Sequence, residues 1–287
     1  MDVCEKSITH FRGLWENSML LALRDLQWHK AMEMKHPAPQ GLAVFEGNAE
    51  SALGDAILSV EDRLFLFEFK STAAEGGTEF EKALARVMKK VGESTDGTAK
   101  SHFENDSRAG HHFAFSASER KQENEKWTLP VKVTTIKTTP YVTAVQSMEN
   151  ASYRLSDSGP DIVSLLYSGG AEYGLSLSQM AHYLEYLVEN YQNAVIEIET
   201  EGKSGGGEGS ESGGKLVSVP FKGLFALGNE KFIWPCADMT DIAHISALLQ
   251  EFLQTNPEFN NVSAKKYPKL SWKIPEKSTS NNVKMKS

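Results

Sequence analysis

The stretch that decides the fold is Gly54-Asp-Ala-Ile-Leu-Ser-Val-Glu-Asp-Arg-Leu-Phe-Leu-Phe-Glu-Phe-Lys-Ser71, two apolar runs separated by a short polar break. Both runs are rich in residues that suit a buried sheet, and Glu61-Asp62 is the break between them. The stretch therefore predicts a β-hairpin whose strands cover Asp55–Val60 and Leu64–Lys70 and are buried on both faces.

Three charged side chains stand out in this apolar hairpin. Because successive side chains of a strand point to opposite faces, Glu68 and Lys70 share one face of their strand, and its three phenylalanines share the other. A turn centred on Glu61-Asp62 pairs Asp55 with Glu68 across the hairpin. A three-residue loop shifts this pairing by one residue, so the register depends on the turn type.

Two carboxylates placed opposite each other repel, and a buried charge cluster is costly unless it is paired or bound to a cation. Hard oxygen ligands such as Asp55 and Glu68 suit Mg²⁺ or Mn²⁺. Such an ion activates a bound water and stabilises charge on a phosphate. Lys70 is placed to point at the same water or at the phosphate. The pattern predicts a metal-dependent hydrolytic site.

With these residues the sequence resembles the PD-(D/E)xK nuclease superfamily, to which many restriction and repair endonucleases belong. The resemblance covers roughly residues 10–118 and includes the order helix, three strands, helix, strand. It implies an α/β restriction-endonuclease-like core in which Asp55, Glu68 and Lys70 hold the metal ion and the attacking water. It also implies that the Phe69 carbonyl is a backbone metal ligand.

Two further positions bear on the resemblance. A glutamate on the first helix often joins the site in this superfamily, and Glu16 occupies that place in a helix predicted from about Leu14 to Met34. Glu46 and Glu50 are weaker alternatives. Gly54 stands where the motif has the proline that names it, a replacement common in the superfamily.

The second predicted helix of this core carries two stripes. Apolar residues from Phe80 to Val91 recur at helical spacing and predict a buried face. The opposite face is basic and could contact phosphates of a nucleic acid, although solvated helix faces are commonly charged as well. The basic residues are Lys82, Arg86, Lys89 and Lys90.

Patterns in the rest of the chain are weaker. Residues 92–110 read as a polar loop before a strand at His111–Ala117. Residues 119–264 are expected to form an α+β extension that completes the sheet or forms an accessory region. Its predicted parts are a helix at Leu175–Tyr191, a strand at Val195–Glu199 and a flexible Gly/Ser-rich loop at 202–214.

Charge and composition limit the function classes. The 287 residues are 40% hydrophobic with a net charge of −8, which fits a folded domain and argues against a protein that coats nucleic acid without preference. Residues 265–287 contain seven lysines and one glutamate, and read as a basic, disordered tail. Two cysteines and no long apolar run lead us to expect a cytoplasmic chain with no membrane segment.

The sequence thus predicts a Mg²⁺- or Mn²⁺-dependent endonuclease or exonuclease acting on nucleic acid, DNA by resemblance, with protein partners or a homodimer open. One alternative is a non-catalytic subunit of a defence or mobile-element complex that uses this fold for binding or assembly. Another is an interaction protein unrelated to nucleic acids. The simplest is an ordinary β-hairpin in which Glu68 and Lys70 form a surface ion pair.

Overall fold

A five-stranded mixed sheet is the centre of the computed structural model. The structure describes residues 16–35, 42–45, 48–60, 63–121, 131–168, 172–203, 223–227, 230–234, 254 and 266–273. The strands follow one another in chain order across the sheet, and only β3 and β4 run parallel. Their bounds are β1 Leu42–Val44, β2 Ala56–Val60, β3 Arg63–Lys70, β4 His111–Lys121 and β5 Val131–Pro140.

The predicted hairpin is confirmed as β2 and β3. Val60 pairs with Arg63 and Ala56 pairs with Phe67, which is the register expected for a turn centred on Glu61-Asp62. Every residue of β3 after Arg63 is buried, as a strand covered on both faces should be. The sequence therefore predicted the central strand pair and its register correctly.

Helices cover both faces of the sheet, so the described chain is a mixed α/β structure. One face carries Leu64 and Leu66 of β3 against five helices, and the other carries the three phenylalanines of β3 against the first helix. No described helix is both long and apolar enough to cross a membrane. The helices are α1 Glu16–Glu33, α2 Asn48–Leu53, α3 Ala83–Glu93, α4 Gly97–Gly110, α5 Tyr141–Ser147 and α6 Leu177–Lys203.

Shorter elements complete the described chain. A 3-10 helix, Ala73–Glu79, links β3 to α3, and a π-helical turn, Ser164–Ser168, packs under the phenylalanine face of the sheet. A separate two-stranded sheet consists of β6 Gly223–Leu227 and β7 Glu230–Trp234. The helix, three strands, helix and strand predicted for the core are all present, with α2 inserted after β1 and two helices before β4.

Two predictions about the helices were wrong. Most of the predicted loop at 92–110 is α4, which begins where the Asp96 carboxylate accepts a hydrogen bond from Ala99 N, 3.0 Å away. Its single large apolar residue, Phe103, is fully buried, so the helix needs little periodic hydrophobicity. The predicted strand at Val195–Glu199 is part of α6, whose apolar face continues through Ala194 and Ile198.

The described part of the basic tail is packed rather than free. Tyr267 is buried, and its hydroxyl donates a hydrogen bond to Asp106 Oδ2 at 2.8 Å. Trp272 Nε1 donates to Asn190 Oδ1 at 3.2 Å, which fixes this segment along α6. The expectation of disorder therefore does not hold for residues 266–273. The predicted flexible loop from residue 204 onwards and the rest of the tail lie outside the described residues.

Candidate active site

The backbone around Gly54 places Asp55 at the end of the hairpin. Gly54 has a φ of 114°, a conformation that residues with a side chain rarely adopt and that proline cannot reach. Asp55 N donates to Phe67 O at 2.8 Å, which extends the β2–β3 pairing by one residue. One oxygen of its side chain, Oδ2, accepts a hydrogen bond from Phe69 N. The carboxylate is thus fixed beside β3 and next to Glu68.

Glu68 and Lys70 lie side by side on one face of β3, as the alternation predicted. Lys70 Nζ is 2.7 Å from Glu68 Oε1, and both side chains are buried. The pair lies on the same face of the sheet as Leu64 and Leu66. Because both side chains are buried, they do not form the surface ion pair of an ordinary hairpin. Two buried charges are stable only with further hydrogen bonds or counter-charges.

A third carboxylate, which the sequence analysis missed, provides part of that compensation. Glu79, the last residue of the 3-10 helix, is 1% exposed, and its Oε1 lies 2.8 Å from Lys70 Nζ. The close turn that carries it depends on Gly77, where a Cβ atom would come within 2.0 Å of the Ala151 carbonyl oxygen. Tyr141 donates a hydrogen bond to Glu79 Oε2 at 3.1 Å.

Lys82 closes the arrangement from the solvent side. Its Nζ lies 2.6 Å from Glu79 Oε1 and 3.2 Å from Glu68 Oε1. Glu68, Glu79, Lys70 and Lys82 therefore form a cycle of alternating charges, which we call the ion quartet. Asp55 lies beside the quartet, where its carboxylate accepts a hydrogen bond from Phe69 N, and its charge acts on Glu68. The only signal in the sequence was the i, i+3 spacing of Glu79 and Lys82 at the start of a helix.

Burial and neighbouring charges shift the pKa values of the quartet. Burial raises the pKa of Glu68 well above its usual range, and the carboxylates of Asp55 and Glu79 add to this rise. Burial alone would lower the pKa of Lys70, but the carboxylates of Glu68 and Glu79 outweigh it and raise this pKa above its usual value. Burial and the two neighbouring carboxylates thus oppose the negative charge of Glu68, whereas the ammonium groups of Lys70 and Lys82 favour it.

A buried polar network lies behind the quartet. The ring of His111 stacks on Tyr141 at a centroid distance of 4.3 Å, and its Nδ1 is 3.0 Å from the Tyr183 hydroxyl. Tyr183 in turn donates to Ser107 Oγ at 3.0 Å. Burial lowers the pKa of His111 well below its usual value. Burial thus favours the neutral form of His111, which stacks on Tyr141, the hydrogen-bond donor to Glu79.

The helix that carries the expected glutamate packs on the other face of the sheet. α1 packs through Met19 and Leu23 on the phenylalanine face of β3, opposite the face of Glu68 and Lys70. Glu16 is the first residue of α1, and its side chain is outside the described part of the structure. Glu50 is exposed on α2, and Glu46 is not among the described residues. Glu79, unlike the exposed Glu50, is buried and contacts Lys70.

The basic stripe on α3 is occupied by contacts within the chain. Lys82 belongs to the quartet, and Arg86 NH1 lies 3.2 Å from Glu197 and 2.6 Å from Glu201 of α6. Lys90 Nζ is 3.1 Å from the same Glu197 and donates to the Ser271 carbonyl. The cleft of about 620 Å³ beside α3 and α6 is lined by four basic and four acidic side chains. This face is therefore not a free basic surface.

Lys89, the remaining residue of the stripe, contacts an aromatic ring instead. Its Nζ lies 3.5 Å from the centroid of Phe80. Binding of phosphates by Lys82, Arg86, Lys89 and Lys90 remains a prediction, and for three of them it would require carboxylates to be exchanged for phosphate.

Asp55, Glu68 and Glu79 supply carboxylate oxygens, the type of donor that hard divalent cations prefer, and the charges of Asp55 and Glu79 act on Glu68. Among the described residues no group of three or more His, Cys, Asp or Glu side chains is arranged to hold a metal ion. In the quartet, ammonium groups already contact the Oε1 atoms of Glu68 and Glu79.

No family model matches the chain, and neither does any curated protein or solved structure in the comparisons with known proteins. A function for this site therefore has to come from its own residues and from the resemblance in motif and element order.

Proposed function

We propose that this protein is a divalent-metal-dependent nuclease that hydrolyses phosphodiester bonds, with DNA as its substrate. The observation that carries the proposal is the meeting of Asp55, Glu68 and Lys70 at one end of the β2–β3 hairpin, in a buried site on a mixed sheet. The strand directions, antiparallel, antiparallel and parallel from β1 to β4, support a restriction-endonuclease-like core. DNA as substrate comes from the resemblance alone.

Each residue has a distinct role in this proposal. Asp55 and Glu68 would hold Mg²⁺ or Mn²⁺, with the Phe69 carbonyl as a backbone ligand between them. When bound, such an ion supplies activation of a water and stabilisation of charge on the phosphate. Lys70, fixed by two carboxylates, orients the attacking water or the scissile phosphate through its charge. The hydrogen bond from Phe69 N holds the Asp55 carboxylate in place for this task.

A second candidate is a non-catalytic module with the same fold, and one observation favours it. Both lysines of the quartet already neutralise Glu68 and Glu79, and the α3 cations are paired with α6. A site balanced in this way is stable without an ion and needs no substrate. In that case the acidic body of the protein would serve contacts with protein partners.

Cleavage assays separate the two candidates. Linear duplex, single-stranded and supercoiled DNA, and RNA, are incubated with Mg²⁺, Mn²⁺ or chelator and with wild type, Asp55→Asn, Glu68→Gln or Lys70→Met. Glu50→Gln is the matched control, because it removes an exposed carboxylate on α2.

We expect cleavage that depends on the metal and falls by about 100-fold or more in each site variant. It should be unchanged in Glu50→Gln. Absence of cleavage under every metal condition, with a folded wild type, would refute the nuclease and favour the non-catalytic module.

A further inference from the structure

We propose that the paired ends of β4 and β5 form a binding element for duplex DNA, which contacts phosphates at a distance from the candidate active site. We call this element, Ser116–Lys121 paired with Val131–Ile136, the ribbon. The inference rests on the proposed function and deepens it, because it states where the duplex lies relative to Lys70.

The ribbon extends beyond the central sheet at the edge where the candidate site lies. β3 ends at Lys70, which pairs with Phe115 of β4. β4 and β5 then remain paired for six further rungs, and among the described strands β4 pairs there with β5 alone. At about 3.4 Å per residue, the rung of Arg120 lies about 17 Å beyond the row of Lys70.

Burial decreases where the ribbon begins. Ser116 is 7% exposed, and its hydroxyl donates a hydrogen bond to the Ser71 carbonyl. In the next rung Ala117, which is half-buried, pairs with Thr135, which is exposed. A strand pair without a third strand is only marginally stable in water and is stabilised by packing on another surface. The ribbon therefore leaves the core in a form that a ligand can stabilise.

The distal rungs of the ribbon concentrate positive charge. Arg120 is directly opposite Lys132 in the register, and Lys121 belongs to the next rung. Like charges at directly opposite positions destabilise a strand pair. Glu119 is the one acidic residue of the two ribbon strands. An anion bound at these rungs would replace repulsion with attraction, in a chain whose net charge of −8 otherwise repels a polyanion.

The dimensions of the ribbon fit a nucleic-acid duplex. The major groove of B-DNA admits a two-stranded β-ribbon. A distance of about 17 Å corresponds to about five base pairs at 3.4 Å per base pair. A duplex whose scissile phosphate lies at Lys70 therefore presents phosphates to Arg120 and Lys132 about five base pairs away.

The ribbon differs in this respect from the basic stripe predicted on α3. Arg86 and Lys90 of that stripe form ion pairs with carboxylates of α6. The rung of Arg120 and Lys132 instead combines two basic residues. We therefore assign the phosphate contacts to the ribbon rather than to α3.

Fluorescence anisotropy with a labelled duplex of 20 base pairs tests the inference, with chelator present to prevent cleavage. Arg120→Gln/Lys132→Gln should bind about tenfold more weakly than wild type, or worse. Its plot of log affinity against log salt should be shallower by about two. Lys35→Gln/Arg154→Gln is the matched control, because it removes the same two residue types at exposed positions. Its affinity and salt dependence should equal those of wild type.

A second measurement uses the wild type and does not depend on how the variants fold. Hydrogen exchange of backbone amides, followed by mass spectrometry, should slow several-fold in peptides of the ribbon when the duplex is added at saturation. Peptides of α1, which packs on the phenylalanine face of the sheet, should exchange equally with and without the duplex.

The outcomes distinguish this inference from the proposed function. If wild type cleaves DNA but the two double variants bind the duplex equally and the ribbon exchanges at an unchanged rate, the ribbon is refuted and the nuclease stands. Ribbon-dependent binding without cleavage under any metal condition would support the ribbon and refute the nuclease. If wild type neither binds nor cleaves DNA, both proposals fall.

Discussion

Gly54 offers a sharp test of how the fold positions the candidate active site, because its change to alanine alters both the backbone conformation and the packing against β3. The φ of 114° at this position is unfavourable for any residue with a Cβ atom. A Cβ built there would lie 2.9 Å from the Phe67 carbonyl oxygen and 3.5 Å from Glu68 Oε2. The first distance is too short, and its partner is backbone of the central strand, which cannot move aside cheaply.

The expected cost follows from these two terms. A residue in a rarely populated backbone region costs about 1–3 kcal/mol, and forcing an atom into a packed interior adds about 1–3 kcal/mol. Loss of unfolded-state entropy on replacing glycine returns about 0.4–1 kcal/mol. We therefore expect Gly54→Ala to lower the free energy of unfolding by about 2–4 kcal/mol.

Gly97 supplies the control. It is the first residue of α4, its φ is not positive, and a Cβ there would have no atom within 4 Å. Gly97→Ala should therefore leave stability unchanged or raise it by about 0.5–1 kcal/mol. Urea unfolding followed by circular dichroism gives both values. Equal stability of the two variants would refute the assigned backbone strain at Gly54.

Gly54→Ala also has a functional consequence, since Asp55 follows directly. A shift of this turn displaces the Asp55 carboxylate from its hydrogen bond with Phe69 N. Mn²⁺ affinity and cleavage should fall in the folded fraction of Gly54→Ala and remain at the wild-type level in Gly97→Ala.

Two more predictions concern buried residues outside the site. Burial lowers the pKa of His112 to about 4, below its unfolded value of 6.5, so the folded state should lose about 2 kcal/mol between pH 7 and pH 5 from this residue. His112→Gln should flatten that dependence in urea unfolding, whereas His29→Gln, at an exposed position, should not. Tyr267→Phe should cost about 1–3 kcal/mol in thermal unfolding, because the buried Asp106 carboxylate loses a hydrogen bond. An unchanged melting temperature would contradict the docking of the C-terminal segment on α4 and α6.

The hairpin was predictable because its determinants are local. Alternation along β3 assigns Glu68 and Lys70 to one face, and a two-residue break sets which residues of β2 and β3 are opposite. The motif proline could not have stood at Gly54, since its φ is fixed near −65°. A short motif therefore predicted that Asp55, Glu68 and Lys70 lie close together, which the structure confirms, and the departure from the motif has a structural cause.

Elements with little periodicity were less predictable. α4 buries few large side chains and begins at an Asp96 cap, so its sequence resembles a polar loop. α6 is much longer than its predicted extent, Leu175–Tyr191, and the apolar residues near its carboxyl-terminal end were read as a strand. In both cases tertiary packing decided between helix and an alternative that local sequence favoured.

Glu79 shows why the candidate active site could be predicted only in part. It lies in a 3-10 segment whose path is set by the close approach of Gly77 to the Ala151 carbonyl, a contact that no local pattern reveals. The same holds for Arg86, whose partners in α6 are over a hundred residues away. A sequence shows how many basic residues a helix face carries. Whether those residues are ion-paired depends on carboxylates that are distant in the sequence, which no local pattern reveals. In this protein, carboxylates distant in the sequence pair with Arg86 and Lys90, two residues of the predicted phosphate-binding stripe.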